Sequence, residues 1–241
     1  MAIIDEVKCS KSLQNSGESV EIIDRFTRSR WIFGESFAKL QKAKILVCGC
    51  GGVGGAAIEA LYRSGVINLS VIDNDKFDIT NQNRQFGSEN LGENKCDVFA
   101  KKFEGITPIF AKIDSEFLEN FDISKFDFII DAIDDAPAKI ALAMKCHEKN
   151  IKFISSLGAA KRLDPTKIKI TSIWKTHGDP FAKKIRYELK KAGFKGDFVC
   201  VFSEEEPKCE KLGSFMGVTA SFGLIIASFI INDLLKKIPN S

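Results

Sequence analysis

Residues 45–55 read ILVCGCGGVGG, a short apolar run that ends in five glycines. A continuous apolar run of this length is typical of a strand that is buried on both faces. Residues 53–64 have the pattern of a helix that stops at Gly65, and NLSVID at 68–73 has the composition of a second strand. Together these segments predict a βαβ unit of about thirty residues.

The same alternation continues along the chain. Helices are predicted at 21–42, 89–105, 136–149, 180–192 and 214–237, and strands at 109–113, 126–131, 152–156, 167–174 and 197–203. Buried strands that alternate with helices indicate a parallel sheet with helices on both faces. We therefore predict an α/β fold with a Rossmann-like doubly wound sheet, mostly parallel and with a mixed C-terminal part.

The 241 residues suffice for one large α/β domain. Residues 1–20 are polar and are predicted to form a flexible N-terminal segment. Residues 21–241 are predicted to form a single domain. Its nucleotide-binding half would span about 21–156, and its substrate-facing half would span about 157–241.

The cysteines and the apolar segments indicate a cytoplasmic protein. Seven cysteines occur without any Cys-x-x-Cys pair, so we expect reduced thiols and neither a disulfide scaffold nor a zinc site. The N-terminus lacks the apolar segment of a signal peptide. Residues 214–232 carry no charge and approach the length of a membrane span, but glycines and hydroxyl residues dilute them. We predict a core helix there, and no membrane association.

Positive charge is concentrated in one segment. Residues 161–195 hold eleven Lys and Arg against three Asp and Glu, whereas the whole chain has a net charge of only +3. Such a segment is typical either of a solvated surface or of a site for a polyanionic partner.

The glycines fit a phosphate-binding turn. Gly49, Gly51 and Gly54 form the pattern G-x-G-x-x-G between a strand and a helix, where backbone N–H groups and the helix N-terminus can bind phosphate. Asp73 ends the second strand, where a carboxylate accepts hydrogen bonds from ribose hydroxyls. This pattern is compatible with NAD, FAD and ATP alike.

The residues after Asp73 favour ATP. They form a dense polar cluster, followed by Lys95, at the place where a dinucleotide would need room for its second half. An arginine, several amides and a lysine beside a phosphate-binding turn suit a triphosphate with its metal. The residues of the cluster are Asp75, Asn81, Asn83, Arg84 and Gln85.

Acidic residues follow the strand at 126–131. Asp131, Asp134 and Asp135 come at its end, where carboxylates facing the phosphates suit Mg²⁺. Each also has a simpler explanation in a turn or as a helix cap. Their order along one sheet edge, together with the glycines and Lys95, favours the metal.

These motifs resemble those of the ubiquitin-activating-type, or ThiF-like, adenylating enzymes. The matching stretches cover about the first 60% of the chain: RFTR at 25–28, GCGGVGG at 49–55, VIDNDKFDITNQNRQ at 71–85, GENK at 92–95 and DAIDD at 131–135. The resemblance implies a dimeric enzyme that uses ATP to form an acyl-adenylate and releases pyrophosphate.

The resemblance also implies roles for individual residues. Gly52 and its neighbours would line the phosphates, and Asp73 would bind the ribose. Arg84 and Lys95 would bind phosphates, and Asp134 would bind Mg²⁺. Arg28 would reach the γ-phosphate of the nucleotide in the partner subunit.

Features that are absent narrow the choice of branch. Two zinc-binding Cys-x-x-Cys pairs are usual in the molybdopterin and thiamine branches, and a cysteine after the metal-site strand is usual in branches that form a thioester. This chain has no Cys-x-x-Cys pair and no cysteine between Cys146 and Cys200. The remaining resemblance, over 157–191, 200–205 and 215–228, is to the branch that dehydrates threonylcarbamoyladenosine at tRNA position 37.

The branch resemblance implies that residues 161–195 bind tRNA, and that proteins of a cysteine-desulfurase system are partners. Cys200 and Cys209 are the candidate sulfur acceptors, although Cys200 is expected to pack in a strand. The crossover at 203–213 is shorter than is usual in this branch.

Three other functions compete with this interpretation. One is adenylation of the C-terminal glycine of a ubiquitin-like sulfur carrier. The others are a non-catalytic nucleotide sensor and a plain NAD-binding module. The missing cysteines argue against the first, the complete polar set against the second, and the crowding after Asp73 against the third.

Overall fold

The computed structural model describes residues 23–236, so the predicted flexible segment 1–20 lies outside the described residues. The strands are β1 Lys44–Cys48, β2 Asn68–Ile72, β3 Thr107–Ile109, β4 Phe128–Asp131, β5 Lys152–Ser156, β6 Ile168–Ser172 and β7 Val199–Ser203. The helices are α1 Thr27–Phe33, α2 Phe37–Lys42, α3 Gly52–Ser64, α4 Lys95–Lys102, α5 Ser115–Asn120, α6 Ala136–Glu148, α7 Pro180–Lys191 and α8 Met216–Leu235.

The strands form one seven-stranded sheet in the order β3-β2-β1-β4-β5-β7-β6. All neighbouring strands are parallel except β6, which pairs antiparallel with β7 at the sheet edge. The predicted mostly parallel sheet with a mixed C-terminal part is confirmed. The chain moves outward from β1 in both directions, which opens a crevice at the carboxyl end of β1.

Strand β1 is buried on both faces, as its apolar run predicts. Ile45 and Val47 belong to the core that includes α3 and α8, whereas Leu46 and Cys48 belong to the core that includes α6 and α7. The two-residue repeat of a strand produces this division. The sheet therefore separates two apolar layers and presents its polar groups at the strand ends.

Helix α8 lies along α3 and joins the same core as the sheet. A Cβ atom at Gly223 would lie 2.3 Å from the Val53 carbonyl oxygen, so the two helices approach closely. The side chains of Val218, Phe222, Ile226 and Ile230 are buried. Within residues 23–236, this is the single helix long and apolar enough to cross a membrane. Its packing matches the predicted core helix.

Several predicted boundaries are wrong. The helix predicted at 21–42 is interrupted by a 3₁₀ turn at Gly34–Ser36. The helix predicted at 89–105 begins only at Lys95, because hydrogen bonds between Phe77 and residues 92–93 hold the preceding segment in a loop. The strand predicted at 109–113 lies instead at Thr107–Ile109, because the chain then turns toward α5, whose N-terminus Asp114 caps.

Candidate functional site

A cavity of about 790 Å³ opens at the carboxyl ends of β1, β2, β4 and β5. One wall consists of the glycine turn, the end of β2 and the start of α4. The opposite wall consists of the segment after β5, the start of α7 and the chain before α8. Of the predicted site residues, the cavity is lined by Gly49, Gly51, Gly52, Asp73, Asp75, Arg84, Gln85, Lys95, Asp134 and Asp135.

The glycine turn is shaped by contacts that exclude side chains. Gly49 has a φ of +94°, and a Cβ atom there would lie 2.7 Å from the Ala132 carbonyl oxygen. A Cβ atom at Gly54 would lie 1.8 Å from the Gly49 carbonyl oxygen. Gly54 does not line the cavity and serves the helix–strand contact, whereas Gly51 and Gly52 present the N-terminus of α3 to the cavity.

Asp73 connects β2 to the glycine turn. Its Oδ2 accepts a hydrogen bond from the Cys50 N–H at 2.6 Å, and its Oδ1 accepts one from the Asp75 N–H at 2.8 Å. Burial raises the pKa of this carboxyl, while the Cys50 N–H and Lys95 act in the opposite direction. A carboxylate fixed in this way lies where the sequence predicts a ribose contact.

Lys95 begins α4 with its side chain buried against the cavity. Its Nζ lies 2.9 Å from Asp75 Oδ2, and its backbone N–H donates to the Asp75 carbonyl oxygen. The lysine side chain is only 7% exposed, whereas the Asp75 side chain is 62% exposed. A phosphate could therefore replace Asp75 as the partner of the ammonium group without moving the lysine.

Of the remaining members of the polar cluster, Arg84 and Gln85 line the cavity and the two asparagines do not. Arg84 donates from Nη1 to the Thr80 carbonyl oxygen and to Asn83 Oδ1, and it lines the cavity beside Gln85. The buried Gln85 Oε1 has no hydrogen-bond partner among the described residues. A bound ligand would supply one.

Asn81 and Asn83 do not line the cavity. Asn81 closes a capping box with Asp78, and Asn83 Nδ2 donates to the Ser214 carbonyl oxygen at 2.6 Å. Both asparagines hold the loop in place, and direct contact of either with a nucleotide stays a prediction.

The three acidic residues after β4 have different surroundings. Asp131 is fully buried and bonds Lys139 Nζ at 2.8 Å and Ser155 Oγ at 2.6 Å. Asp135 caps α6 by accepting a hydrogen bond from the Ala138 N–H. Asp134 is exposed to the cavity, and within residues 23–236 its carboxylate has no hydrogen-bond or ion-pair partner. Asp134 is thus the carboxylate that remains available.

This donor set fits a magnesium ion that is bound mainly by a nucleotide. Mg²⁺ is commonly held by one or two carboxylates together with substrate phosphates and waters. No group of three or more His, Cys, Asp or Glu side chains suited to hold a metal occurs among the described residues. One free carboxylate facing a phosphate-binding turn is instead the arrangement in which substrate phosphates and waters supply most of the ligands of Mg²⁺.

The opposite wall contains residues that sequence reasoning missed as site residues. The cavity is lined there by residues 156–162, by Asp179, Pro180 and Phe181, and by Leu212 and Ser214. Arg162 and Asp179 are both buried in this wall. For Arg162 the available signal was its place in the segment that follows β5, because ligands of such sheets bind beyond the carboxyl ends of the strands. Asp179 gave no such signal, since it lies just before α7.

The short crossover at 203–213 closes the cavity by folding against the segment after β5. The Lys161 N–H donates to the Gly213 carbonyl oxygen, and the Lys208 N–H donates to the Lys161 carbonyl oxygen. Glu205 Oε2 accepts hydrogen bonds from the N–H groups of Leu163 and Asp164, both at 2.8 Å. The two segments therefore form one connected wall.

Arg28 lies on α1, is exposed and does not line the cavity of its own chain.

The basic helix α7 begins at the cavity with Pro180 and carries exposed Lys183 and Lys184, while Ile185 and Leu189 are buried. Cys200 is buried in β7, where burial raises the pKa of its thiol to about 12, and Cys209 is exposed.

Comparison with known proteins identifies the family. The model of the ThiF family matches residues 26–241. The chain belongs to the ThiF family. The resemblance predicted from the glycine turn, the polar cluster and the acidic motif is therefore confirmed.

Relatives that match this ThiF-family chain over nearly its whole length are tRNA threonylcarbamoyladenosine dehydratases. The enzyme of Bacillus subtilis is 35% identical over 246 residues, which cover 90% of this chain and 97% of the relative. That of Escherichia coli is 31% identical over 252 residues, which cover 88% and 94%.

Solved structures of the Escherichia coli dehydratase have the same fold as this chain. The Escherichia coli dehydratase in complex with ATP superposes with a TM-score of 0.83 at 32% identity, covering 88% of this chain and 93% of that one. Its complex with AMP gives a TM-score of 0.84, covering 90% and 98%. The predicted branch of the family is thus supported over the sulfur-carrier branch.

Proposed function

We propose that this protein is an ATP-dependent tRNA threonylcarbamoyladenosine dehydratase. The observation that carries the proposal is the cavity itself, which joins a phosphate-binding turn to a separate wall with room for a second substrate. Whole-length similarity to enzymes of that name, one of them solved with ATP and with AMP, supports it.

The reaction follows from the two halves of the cavity. A carboxylate oxygen of threonylcarbamoyladenosine attacks the α-phosphorus of ATP, and pyrophosphate leaves. An acyl-adenylate results. A nucleophilic atom of the same modified base then attacks the activated carbonyl carbon and expels AMP. The nucleoside has then lost one molecule of water, and no nucleophile from the protein is required.

The nucleotide would lie on the wall formed by residues 49–95. The N-terminus of α3 and Lys95 would bind phosphates, and Arg84 would add a second positive charge. Asp73 would accept hydrogen bonds from the ribose. Lys95, Arg84 and the N-terminus of α3 would neutralise the negative charge that collects on the pyrophosphate as it leaves.

Magnesium fits the same arrangement, with Asp134 as its protein ligand. When bound, the ion supplies positive charge to the phosphate oxygens. Zinc plays no part in the proposal.

The remaining partners are proposed from charge and exposure. The chain would act as a cytoplasmic homodimer in which Arg28 reaches the partner's nucleotide. The basic segment 161–195 would bind tRNA, since α7 starts at the cavity and its exposed lysines extend away from it. Membrane association is not proposed. Partners from a cysteine-desulfurase system stay a prediction, for which the exposed Cys209 is the candidate contact.

The test supplies the protein with ATP, Mg²⁺ and tRNA that carries threonylcarbamoyladenosine. We expect release of pyrophosphate and a nucleoside lighter by one water in mass spectrometry. The same tRNA without the threonylcarbamoyl group should give neither. If pyrophosphate appears only when a ubiquitin-like sulfur carrier replaces the tRNA, the alternative activity is the correct one.

A further inference from the structure

Arg162 is a buried cation without a hydrogen-bond partner in the wall of the cavity. Its side chain is 2% exposed, and its Nε and Nη1 have no partner among the described residues. Its Nη2 approaches Asp179 Oδ1 only to 3.9 Å, which is beyond hydrogen-bond distance. A guanidinium group has five N–H donors, so this arrangement leaves much hydrogen-bonding capacity unused.

Asp179 is not free to move closer. Its Oδ1 accepts a hydrogen bond from the Phe181 N–H at 2.8 Å, as the cap of α7. Its Oδ2 accepts one from the Gly158 N–H at 3.0 Å. The carboxylate therefore offsets part of the charge of Arg162 while its own oxygens are fixed by backbone groups.

Arg162 faces the part of the cavity that the nucleotide does not need. It follows β5, which lies two strands from β1 and thus about 10 Å from the glycine turn at the usual strand spacing. The phosphate wall already has its own cations, Lys95 and Arg84. A second anion is therefore expected beside Arg162.

We propose that Arg162 binds the carboxylate of the substrate and holds it for attack on the α-phosphorus. This inference rests on the function proposed above, which requires a carboxylate in this half of the cavity. A guanidinium fork matches a carboxylate in shape and charge. The fixed Asp179 keeps the arginine oriented without occupying the donors that the substrate needs.

The experiment compares two anticodon stem-loop RNAs. One carries threonylcarbamoyladenosine with its free carboxylate, and the other carries the methyl ester of the same nucleoside. We expect the wild-type protein to bind the acid about tenfold to a hundredfold more tightly, as is typical of a hydrogen-bonded charge. Arg162→Gln should bind both RNAs equally, with its affinity for ATP changed less than about twofold.

Two further variants keep the result interpretable. If Arg162→Gln fails to fold, Arg162→Lys takes its place in the test. It retains the charge in the same buried space and should keep part of the preference for the acid. Arg63→Gln is the control for the loss of one positive charge, since Arg63 lies at the far end of α3 and its partner Glu59 keeps a second ion pair with Lys102. It should preserve the full preference.

Two outcomes would overturn the assignment of Arg162. One is an Arg162→Gln protein that still prefers the acid as strongly as wild type. The other is a variant whose affinity for ATP falls while its preference for the acid stays, because the guanidinium would then bind phosphate. Failure of the proposed function is distinct from both: wild-type protein would produce no dehydrated nucleoside from modified tRNA at all.

Discussion

Asp134 and Asp135 are adjacent carboxylates with different tasks. Both line the cavity, but Asp134 has no partner among the described residues, whereas Asp135 Oδ2 caps α6. Asp134→Asn should reduce pyrophosphate release by at least about a hundredfold, because charge stabilisation near the reacting phosphates is lost. Stability should change by less than about 0.5 kcal/mol, as for other exposed positions.

The neighbouring variant provides the control. Asp135→Asn removes the same charge one residue away, and asparagine caps a helix as well as aspartate does. Its pyrophosphate release, measured over a range of Mg²⁺ concentrations, should fall far less. Full activity in Asp134→Asn would disprove the assignment of the metal ligand.

Replacement by alanine should mainly reduce stability at Gly54 and mainly weaken ATP binding at Gly51. Gly54→Ala places a methyl group 1.8 Å from the Gly49 carbonyl oxygen and should destabilise the fold by on the order of 3 kcal/mol. At Gly51 the methyl group would lie 3.8 Å from Gln85 Nε2, an ordinary contact, and would point into space for the nucleotide.

Gly51→Ala should therefore cost less than about 1 kcal/mol of stability but weaken ATP binding at least about tenfold. Denaturant unfolding and calorimetric titration measure the two effects separately. Equal loss of stability in both variants would contradict this division between a glycine for packing and a glycine for binding.

The sequence predicts the phosphate wall because its residues lie close together along the chain. Gly49 and Asp73 directly follow β1 and β2, and parallel strands bring such ends together. Lys95 joins them because its backbone N–H bonds the Asp75 carbonyl oxygen. Arg162 could not be predicted in the same way, because Asp179, which lies beside it, is distant in the chain and is held by the Gly158 N–H. The burial of Asp131 with Lys139 and Ser155 likewise depends on tertiary contacts, whereas the capping box of Asn81 with Asp78 is local.

At the scale of elements, tertiary contacts decide the boundaries that the sequence misplaces. Apolar periodicity predicts a helix from residue 89, but backbone hydrogen bonds to Phe77 delay it until Lys95. That delay places Lys95 in the first turn of α4 with its side chain toward the cavity. The position of the helix start therefore contributes directly to the site.

Asp233 of α8 forms an ion pair with Lys152 of β5 and so connects the helix to the sheet. Lys152 Nζ lies 2.5 Å from its Oδ2 and Lys236 Nζ lies 3.1 Å from its Oδ1. The hydrogen bond from Lys152 lowers the pKa of the Asp233 carboxyl below its ordinary value. A lowered pKa in the folded state adds stability above the unfolded pKa, and this stability is lost as the pH falls through the folded value.

Asp233→Asn should therefore lower the free energy of unfolding by up to about 1 kcal/mol at pH 7. The difference from wild type should disappear in acid, at a pH below the lowered pKa. Urea unfolding at a series of pH values measures it, and Lys152→Met should reproduce part of the loss at pH 7. A difference that persists undiminished in acid would show that Asp233 acts through packing and not through charge.

Helix α7 joins the cavity to the basic surface. Its 12 residues extend about 18 Å from Pro180, with the apolar face buried and the lysines exposed. If this face binds tRNA, the triple change of Lys183, Lys184 and Lys191 to Glu should weaken tRNA binding at low salt and flatten its dependence on salt concentration. Affinity for ATP should not change.

Reversing three exposed lysines elsewhere, Lys42, Lys125 and Lys149, is the matched control, and it should affect tRNA binding much less. Filter binding between 50 and 200 mM salt, over which about a thousandfold loss is expected for six phosphate contacts, measures the slope. Equal effects of the two triple variants would mean that tRNA binds through overall charge and not through α7.

At the scale of the whole molecule, the exposed Arg28 allows a test of the proposed dimer and of action across its interface. Each site would combine Lys95 of its own chain with an arginine of the other. Mixing Arg28→Ala chains with Lys95→Ala chains should create dimers with one complete site and about half of the wild-type activity per dimer, although each variant alone is inactive. Verified mixed dimers without activity would exclude action across the interface.

The contact between α8 and α3 also affects how the chain is made. Among the described elements α3 is early and α8 is last, so a ribosome releases α8 after every strand of the sheet. Until then, the apolar surface of α3 around Val53 and Ala57 lacks its cover, and contacts of such large sequence separation form slowly. The nascent chain therefore has a long interval in which chaperones can bind this surface, and a stalled or shortened chain without α8 becomes prone to aggregation.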